Sequence, residues 1–331
     1  MTPAARVPSA PEAGSIPRLA GALCPVLTPF GEAFAPDPSR LVAHCRWLLG
    51  QGLGGLALFG TTSEANSLSV EEREELLGAV LAAGIAPRAL FVGTGSCALP
   101  DAVRLTQLAV RQGCAGVLML PPFYYKGVSD DGLYRGFAEV VERVGDPRLR
   151  VYLYHIPAVA QVGFGPALIE RLLRAYPGVV VGIKDSSGDW DHTHRLHQRF
   201  GTAGLQVFVG TERLLLANMR SGGAGCITAM ANVNPAPIAR LARQWQDPRA
   251  EDLQAELNVV RGAVERYPVI AALKTVLAHH AGDPAWLSLR PPLTELPAAD
   301  AGALLADLGR RGFAMRGLQG PRDPDPPARS P

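Results

Sequence analysis

Lysine is almost missing from this chain. Three lysines (Lys126, Lys184 and Lys274) stand against 29 arginines. Where only positive charge is needed the chain uses Arg, so each lysine calls for a separate reason. Charge is sparse as well: charged residues make up 19%, and the formal net charge is +2. Both signs are spread along the chain, which excludes the clustered basic face of a nucleic-acid binder. The five cysteines (Cys24, Cys45, Cys97, Cys114, Cys226) are odd in number, widely spaced and without a CxxC pair. They read as small buried hydrophobes in a reducing compartment, not as a disulfide frame or zinc site. No run of 18 apolar residues exists, so no transmembrane helix is expected. The stretch Met1–Pro17 is rich in Pro and Ala but lacks the apolar core of a secretory signal. The cytoplasm is the expected location.

What is present is a repeating alternation. Hydrophobic residues make up 47% of the 331 residues, enough for a sizeable core. Strand-like runs recur at Ala22–Leu27, Gly55–Phe59, Ala89–Val92, Gly116–Leu120, Arg150–Tyr154, Val179–Ile183, Gln206–Val209 and Ala224–Ile227. Most are continuously apolar, as parallel strands buried on both faces must be. Helical patterns lie between them. One starts at Asp37-Pro38, with Asp as cap and Pro at the first helical position. Another opens with a Ser69/Glu72 capping box. Eight such units over residues 20–247 fit a (β/α)8 TIM barrel in the α/β class. A doubly wound sheet is the alternative, but no GxGxxG follows an early strand. Strandless helical stretches over residues 248–314 read as a C-terminal extension. Residues 1–19 and 315–331, both proline-rich, read as mobile tails.

Barrel enzymes carry their chemistry at the C-terminal strand ends. The run Val179–Ile183 leads into Lys184, and a lysine at the tip of a buried strand is costly unless its charge is paired or removed. Only a neutral amine attacks a ketone, and an unperturbed lysine is neutral in about one molecule in 2,500 at pH 7. Arginine cannot take that role. The bland reading is a lysine snorkelling to solvent, so its neighbours decide. After the second strand, Gly60 lets a ligand approach the backbone, and the Thr61 and Thr62 hydroxyls suit a carboxylate. Tyr154 at the end of the fifth strand suits a proton shuttle, or else is a core tyrosine with a satisfied hydroxyl. After the fourth strand, Pro121-Pro122-Phe123-Tyr124-Tyr125 places aromatics on a stiff loop. Three large rings there would be an unusual patch on a monomer, and point to a homo-oligomer.

Five motifs then fall in order: GTTSE at 60–64, PPFYY at 121–125, YHIP at 154–157, GIKDSSGD at 182–189 and GAGCIT at 223–228. In order and spacing, over roughly residues 20–310, they resemble the dihydrodipicolinate synthase / N-acetylneuraminate lyase family of pyruvate-dependent class I aldolases. The resemblance implies a lyase whose Lys184 forms a Schiff base with a 2-oxo acid, most simply pyruvate. It implies Tyr154 as the proton relay, with Thr61 and Thr62 bonding that tyrosine and the pyruvate carboxylate. Tyr124 corresponds to a tyrosine that crosses from a neighbouring subunit of a dimer of dimers, with Tyr125 adjacent in register. The resemblance implies that Ile227 occupies the position whose backbone carbonyl lines the pyruvate site, and Gly60 and Gly210 are expected to complete the substrate-binding positions.

The match departs in three places. The lysine-biosynthetic synthases carry an arginine five residues beyond the tyrosine, where this chain has Val159. His155 replaces the usual Asn, and Gly210-Thr211-Glu212 offers one carboxylate where the sialic-acid lyases present an Asp-Glu pair. What remains is an aldolase or dehydratase for a 2-oxo-3-deoxy or 4-hydroxy-2-oxo acid, with a second-substrate pocket less cationic than that of the synthases. 4-Hydroxy-tetrahydrodipicolinate synthase is the alternative, and a non-catalytic keto-acid-binding barrel is the reading from another class. No cofactor is expected: pyridoxal phosphate would need a glycine-rich phosphate grip after the last two strands. No metal is expected either, because His192, His194 and His197 do not share a helix face and read as a solvated face. No membrane or nucleic-acid partner is expected.

Overall fold

The computed structural model describes residues 18–318. Its eight strands, β1 (Gly21–Pro25), β2 (Gly55–Leu58), β3 (Leu90–Gly93), β4 (Gly116–Met119), β5 (Val151–His155), β6 (Val180–Asp185), β7 (Gln206–Val209) and β8 (Gly225–Ile227), are all parallel. They pair in sequence order, and β8 returns to β1 to close the barrel. Helices α1 (Pro38–Gly50), α2 (Val70–Ala82), α3 (Leu99–Arg111), α4 (Asp130–Val144), α5 (Pro166–Ala175), α6 (Trp190–Phe200), α7 (Leu215–Arg220) and α8 (Pro235–Arg243) follow the strands in turn. Three more, α9 (Ala250–Val264), α10 (Val269–Ala281) and α11 (Ala298–Arg310), form the extension. The start signals act as their chemistry requires. Asp37 accepts from the Arg40 N–H with Pro38 in the first turn. Ser69 and Glu72 exchange both bonds of the capping box. Such caps are each worth about 1 kcal/mol.

Two apolar layers follow from strand alternation. Leu23, Ala57, Phe91, Leu118, Tyr152, Phe208 and Ile227 fill the barrel interior, while their strand neighbours face the helices. Tyr152 is the largest plug. A Cβ on Gly182, its register partner, would sit 2.3 Å from the ring, so only glycine fits there. Two residues further along, Tyr154 pairs with Lys184 in register, above the plug and at the C-terminal mouth. Lys184 lies inside β6, not just past its end, because β5 and β6 both run one or two residues further than their apolar runs suggest.

Most of the two stretches read as tails, 1–19 and 315–331, falls outside the described residues. Within them Arg18 donates to the Gly204 carbonyl at 3.1 Å, and Met315 is buried, so these inner ends are packed on the barrel. No helix among the described residues is long and apolar enough to cross a membrane.

Candidate active site

Lys184 is 4% exposed, and its Nζ lies 4.2 Å from the centroid of the Tyr154 ring. Among the described residues no carboxylate pairs with it. The other two lysines are occupied. Lys274, on α10, is fully buried; its Nζ donates to Glu64 Oε1 at 2.5 Å and to the Ser288 carbonyl at 2.7 Å. Lys126 donates to the carbonyls of Phe123 and Ala160. The scarce residue is thus used twice for structure and once at the barrel mouth.

The Tyr154 hydroxyl meets Thr61 Oγ1 at 3.3 Å. The turn that presents Thr61 is bracketed by two left-handed non-glycine residues, Phe59 (φ 59°) and Glu64 (φ 55°). Such conformations cost about 1–3 kcal/mol each and persist only where the surroundings impose them. Here the surroundings do so from three sides. Ser63 Oγ donates to the Val26 carbonyl at 2.5 Å, and Thr28 Oγ1 donates to the Ser63 carbonyl at 2.7 Å. The Glu64 carboxylate is gripped by Lys274 and by the Arg290 N–H at 3.1 Å. The buried ion pair therefore fixes the turn on which the threonines stand.

Thr61, Thr62, Tyr154, Lys184, Gly210 and Ile227 line one cavity of about 410 Å³. Gly60 stands just behind, beside Tyr154 in a smaller void. Tyr124 does not join them within one chain. It is 73% exposed, edge-on to Tyr125 (72% exposed) at 5.2 Å. Sequence reasoning missed part of the wall: Ser186, Ser187, Arg213, Arg261 and Glu265 also line the cavity. Besides Lys184 the cavity wall therefore carries two guanidiniums. Both are neutralised, since Arg213 pairs with Glu265 and Arg261 pairs with Glu212 and Glu265. Arg261 and Glu265 come from the extension, which carries no strand-end signal in the sequence.

Behind the β5–β6 edge, Asp185 is held by Thr193 Oγ1 at 2.6 Å, His192 Nδ1 at 3.0 Å and the Ser187 N–H at 3.0 Å. These bonds, His192 foremost, outweigh burial and keep the Asp185 carboxyl below its usual range, while the Asp185 bond raises His192. The histidine face expected to be solvated is therefore corrected. His192 is tied to Asp185, and half-buried His197 bonds Asn218 Oδ1 at 2.7 Å. Only His194 of the three is exposed.

His155, Asp185 and His192 bring ligand atoms within 4.8 Å of one another. The two imidazoles, however, stack at 13° with centroids 4.7 Å apart, so their in-plane lone pairs run side by side and do not converge. His155 Nδ1 is already taken by the Phe164 N–H at 3.2 Å. The cluster is a hydrogen-bonded bracket at the back of the strands. Cys24 and Cys226, on the helix-facing side of β1 and β8, have thiols that are both raised, chiefly by burial, which keeps them unreactive.

The profile of the dihydrodipicolinate synthetase family matches residues 18–308. A DapA-like lyase of Chloroflexus aurantiacus is 34% identical, over 86% of this chain and 95% of its own length. The crystal structure of dihydrodipicolinate synthase from Agrobacterium tumefaciens superposes with a TM-score of 0.81 at 33% identity, covering 88% of this chain and 98% of that one. YagE, a prophage protein of the dihydrodipicolinic acid synthase family from E. coli K12 solved in complex with pyruvate, gives a TM-score of 0.81 at 25% identity. It covers 89% of this chain and 99% of that one.

Proposed function

The chain belongs to the dihydrodipicolinate synthetase family, and from that premise we propose that it is a lyase working through an imine between Lys184 and the keto carbon of a 2-oxo acid. The observation that carries the assignment is the position of Lys184: buried at the barrel mouth, without a carboxylate partner, over the ring of Tyr154. Its Nζ attacks the keto carbon, and the carbonyl oxygen leaves as water. The protonated imine then draws electrons toward nitrogen, so that a proton on carbon 3, or the bond from carbon 3 to carbon 4, can be lost. The Tyr154 hydroxyl, oriented by Thr61, moves the protons. Thr62 and the Thr61 hydroxyl suit the substrate carboxylate, with Gly60, Gly210 and the Ile227 carbonyl completing the wall. The cavity falls in the usual range for small-molecule sites, about 300–1,000 Å³.

Pyruvate is the favoured partner of Lys184, in keeping with the pyruvate complex of the E. coli relative. The substrate to be cleaved or dehydrated is a 2-oxo-3-deoxy or 4-hydroxy-2-oxo acid. Synthesis of 4-hydroxy-tetrahydrodipicolinate would use the same imine. The feature against it is the turn Pro157–Ala160, where exposed Val159 supplies no cation for a second carboxylate. A homo-oligomer is part of the proposal. Lys126 ties the Phe123–Lys126 segment to the Ala160 carbonyl at 2.8 Å. That bond ties the loop bearing exposed Tyr124 and Tyr125 to the turn bearing exposed Val159, and these apolar groups would form the face for a second subunit, to which Tyr124 would contribute its hydroxyl. Five unpaired cysteines accord with a reducing, cytoplasmic setting.

The test is a panel of 2-oxo acids assayed for pyruvate release, alongside hydrogen exchange at carbon 3 of pyruvate in deuterated water. Release from a hydroxylated 2-oxo acid, with exchange, is expected. A keto-acid-binding barrel without turnover would give neither.

A further inference from the structure

The far wall of the cavity is an ionic chain that spans two parts of the fold. Glu212 and Arg213 follow β7; Arg261 lies on α9 and Glu265 caps it. Arg213 grips Glu265 through two nitrogens, Nη2 and Nε, the second at 3.2 Å. Arg261 reaches Glu265 Oε2 at 3.2 Å and Glu212 Oε2 at 3.1 Å. Glu212 is buried and also accepts from Thr228 Oγ1 at 2.5 Å. Arg213, Arg261 and Glu265 face the cavity. Two guanidiniums and two carboxylates give a wall of no net charge, in which every cation already has a carboxylate.

We propose that Glu265 is a selectivity residue: by occupying Arg213 it makes the distal subsite favour an uncharged, hydroxylated substrate tail and disfavour an acidic one. This rests on the lyase reading above. An incoming carboxylate can use the Arg213 N–H groups that Glu265 leaves free, Nη1 among them, but it then lies beside Glu265 as a like charge on a cation that is already neutralised. Vicinal hydroxyls do not face that conflict. Each can donate to a Glu265 oxygen and accept from a guanidinium N–H, leaving the pair intact. The rest of the cavity lining agrees, offering the hydroxyls of Ser186, Ser187 and Thr211 and, apart from Lys184, no cation besides the two paired ones. The Arg213 hydrogen bond also holds the Glu265 carboxyl below its usual range, so it stays charged across neutral pH. The sequence alone hides this, because the partner of Arg213 lies 52 residues away.

The experiment compares pyruvate condensation with two four-carbon aldehydes, neutral erythrose and acidic succinic semialdehyde. Wild type should favour erythrose in kcat/KM. Glu265→Gln keeps the shape but leaves Arg213 unpaired. It should shift the ratio toward succinic semialdehyde by about 10-fold or more, mostly through KM, as expected for a charged hydrogen bond gained by one substrate only. Arg213→Gln should weaken erythrose binding without improving the acid. Circular dichroism on both variants establishes folding. If Glu265→Gln folds and leaves the ratio within 2-fold of wild type, or if wild type prefers the acid, the selectivity role is overturned. If wild-type protein neither exchanges the carbon 3 hydrogens of pyruvate nor condenses it with either aldehyde, the lyase reading itself fails.

Discussion

Removing Lys274 would separate the structural lysines from Lys184, the one proposed to react. Lys274→Met keeps the length and apolar stem of the side chain but deletes the ammonium. Glu64 would then retain the Arg290 N–H and lose the partner at 2.5 Å, deep in a site where both side chains are fully buried. The Ser288 carbonyl would lose its donor as well. Breaking a buried pair by deleting one member typically costs about 3–5 kcal/mol, because a charge is left uncompensated. Against a typical total of about 5–15 kcal/mol, that should lower the urea midpoint substantially with little change in slope. The double variant Lys274→Met/Glu64→Gln removes both charges and should recover at least half of the loss. Function should follow, since Glu64 anchors the left-handed end of the Thr61-Thr62 turn. Turnover should drop in Lys274→Met even under conditions where the protein remains folded, while covalent trapping of pyruvate persists. A loss below about 1 kcal/mol, or a double variant no better than the single one, would refute the reasoning.

Other expectations follow from single groups. His44 is buried, and Asn232 Oδ1 can only accept from its Nε2, because Asn232 Nδ2 already donates to the Pro25 and Ala229 carbonyls. Its Nδ1 has no partner. Burial lowers His44 to about 4. The unfolded chain therefore binds the proton first, and this group should withdraw about 3 kcal/mol of stability as pH falls from about 6.5 toward 4. His44→Phe should flatten that fall in pH-dependent urea titrations; an unchanged slope would contradict it. Tyr154→Phe should lower turnover about 10²–10⁴-fold while imine trapping survives, and unchanged turnover would assign the protons elsewhere. Mixing inactive Lys184→Arg subunits with inactive Tyr124→Phe subunits should restore part of the activity if Tyr124 completes a partner's site. Light scattering that finds a fully active monomer would exclude that arrangement.

The barrel was legible in the sequence because parallel strands buried on both faces must be apolar throughout, and eight such runs alternate with capped helices. Boundaries were less legible. Lys184 and Asp185 continue β6 although they break its apolar run, since ladder bonds to β5 and β7 do not depend on side-chain hydropathy. The near wall of the candidate site was legible too, because each of its residues sits at a strand end with a distinct motif. The far wall was not. Arg261 and Glu265 lie in an extension helix whose pattern speaks only of burial, and only the three-dimensional packing of α9 on the turn after β7 sets them against Arg213. The histidines of α6 misled for a related reason. Helical rotation separates His192 from His194, but no spacing rule foresees that Asp185 on the neighbouring strand draws His192 inward.

The most direct measurement of the central claim is borohydride reduction in the presence of pyruvate, followed by peptide mass mapping. The account predicts one reduced pyruvyl adduct, on the peptide containing Lys184, and none in a folded Lys184→Arg variant. An adduct on Lys126 or Lys274, or undiminished labelling of Lys184→Arg, would contradict it.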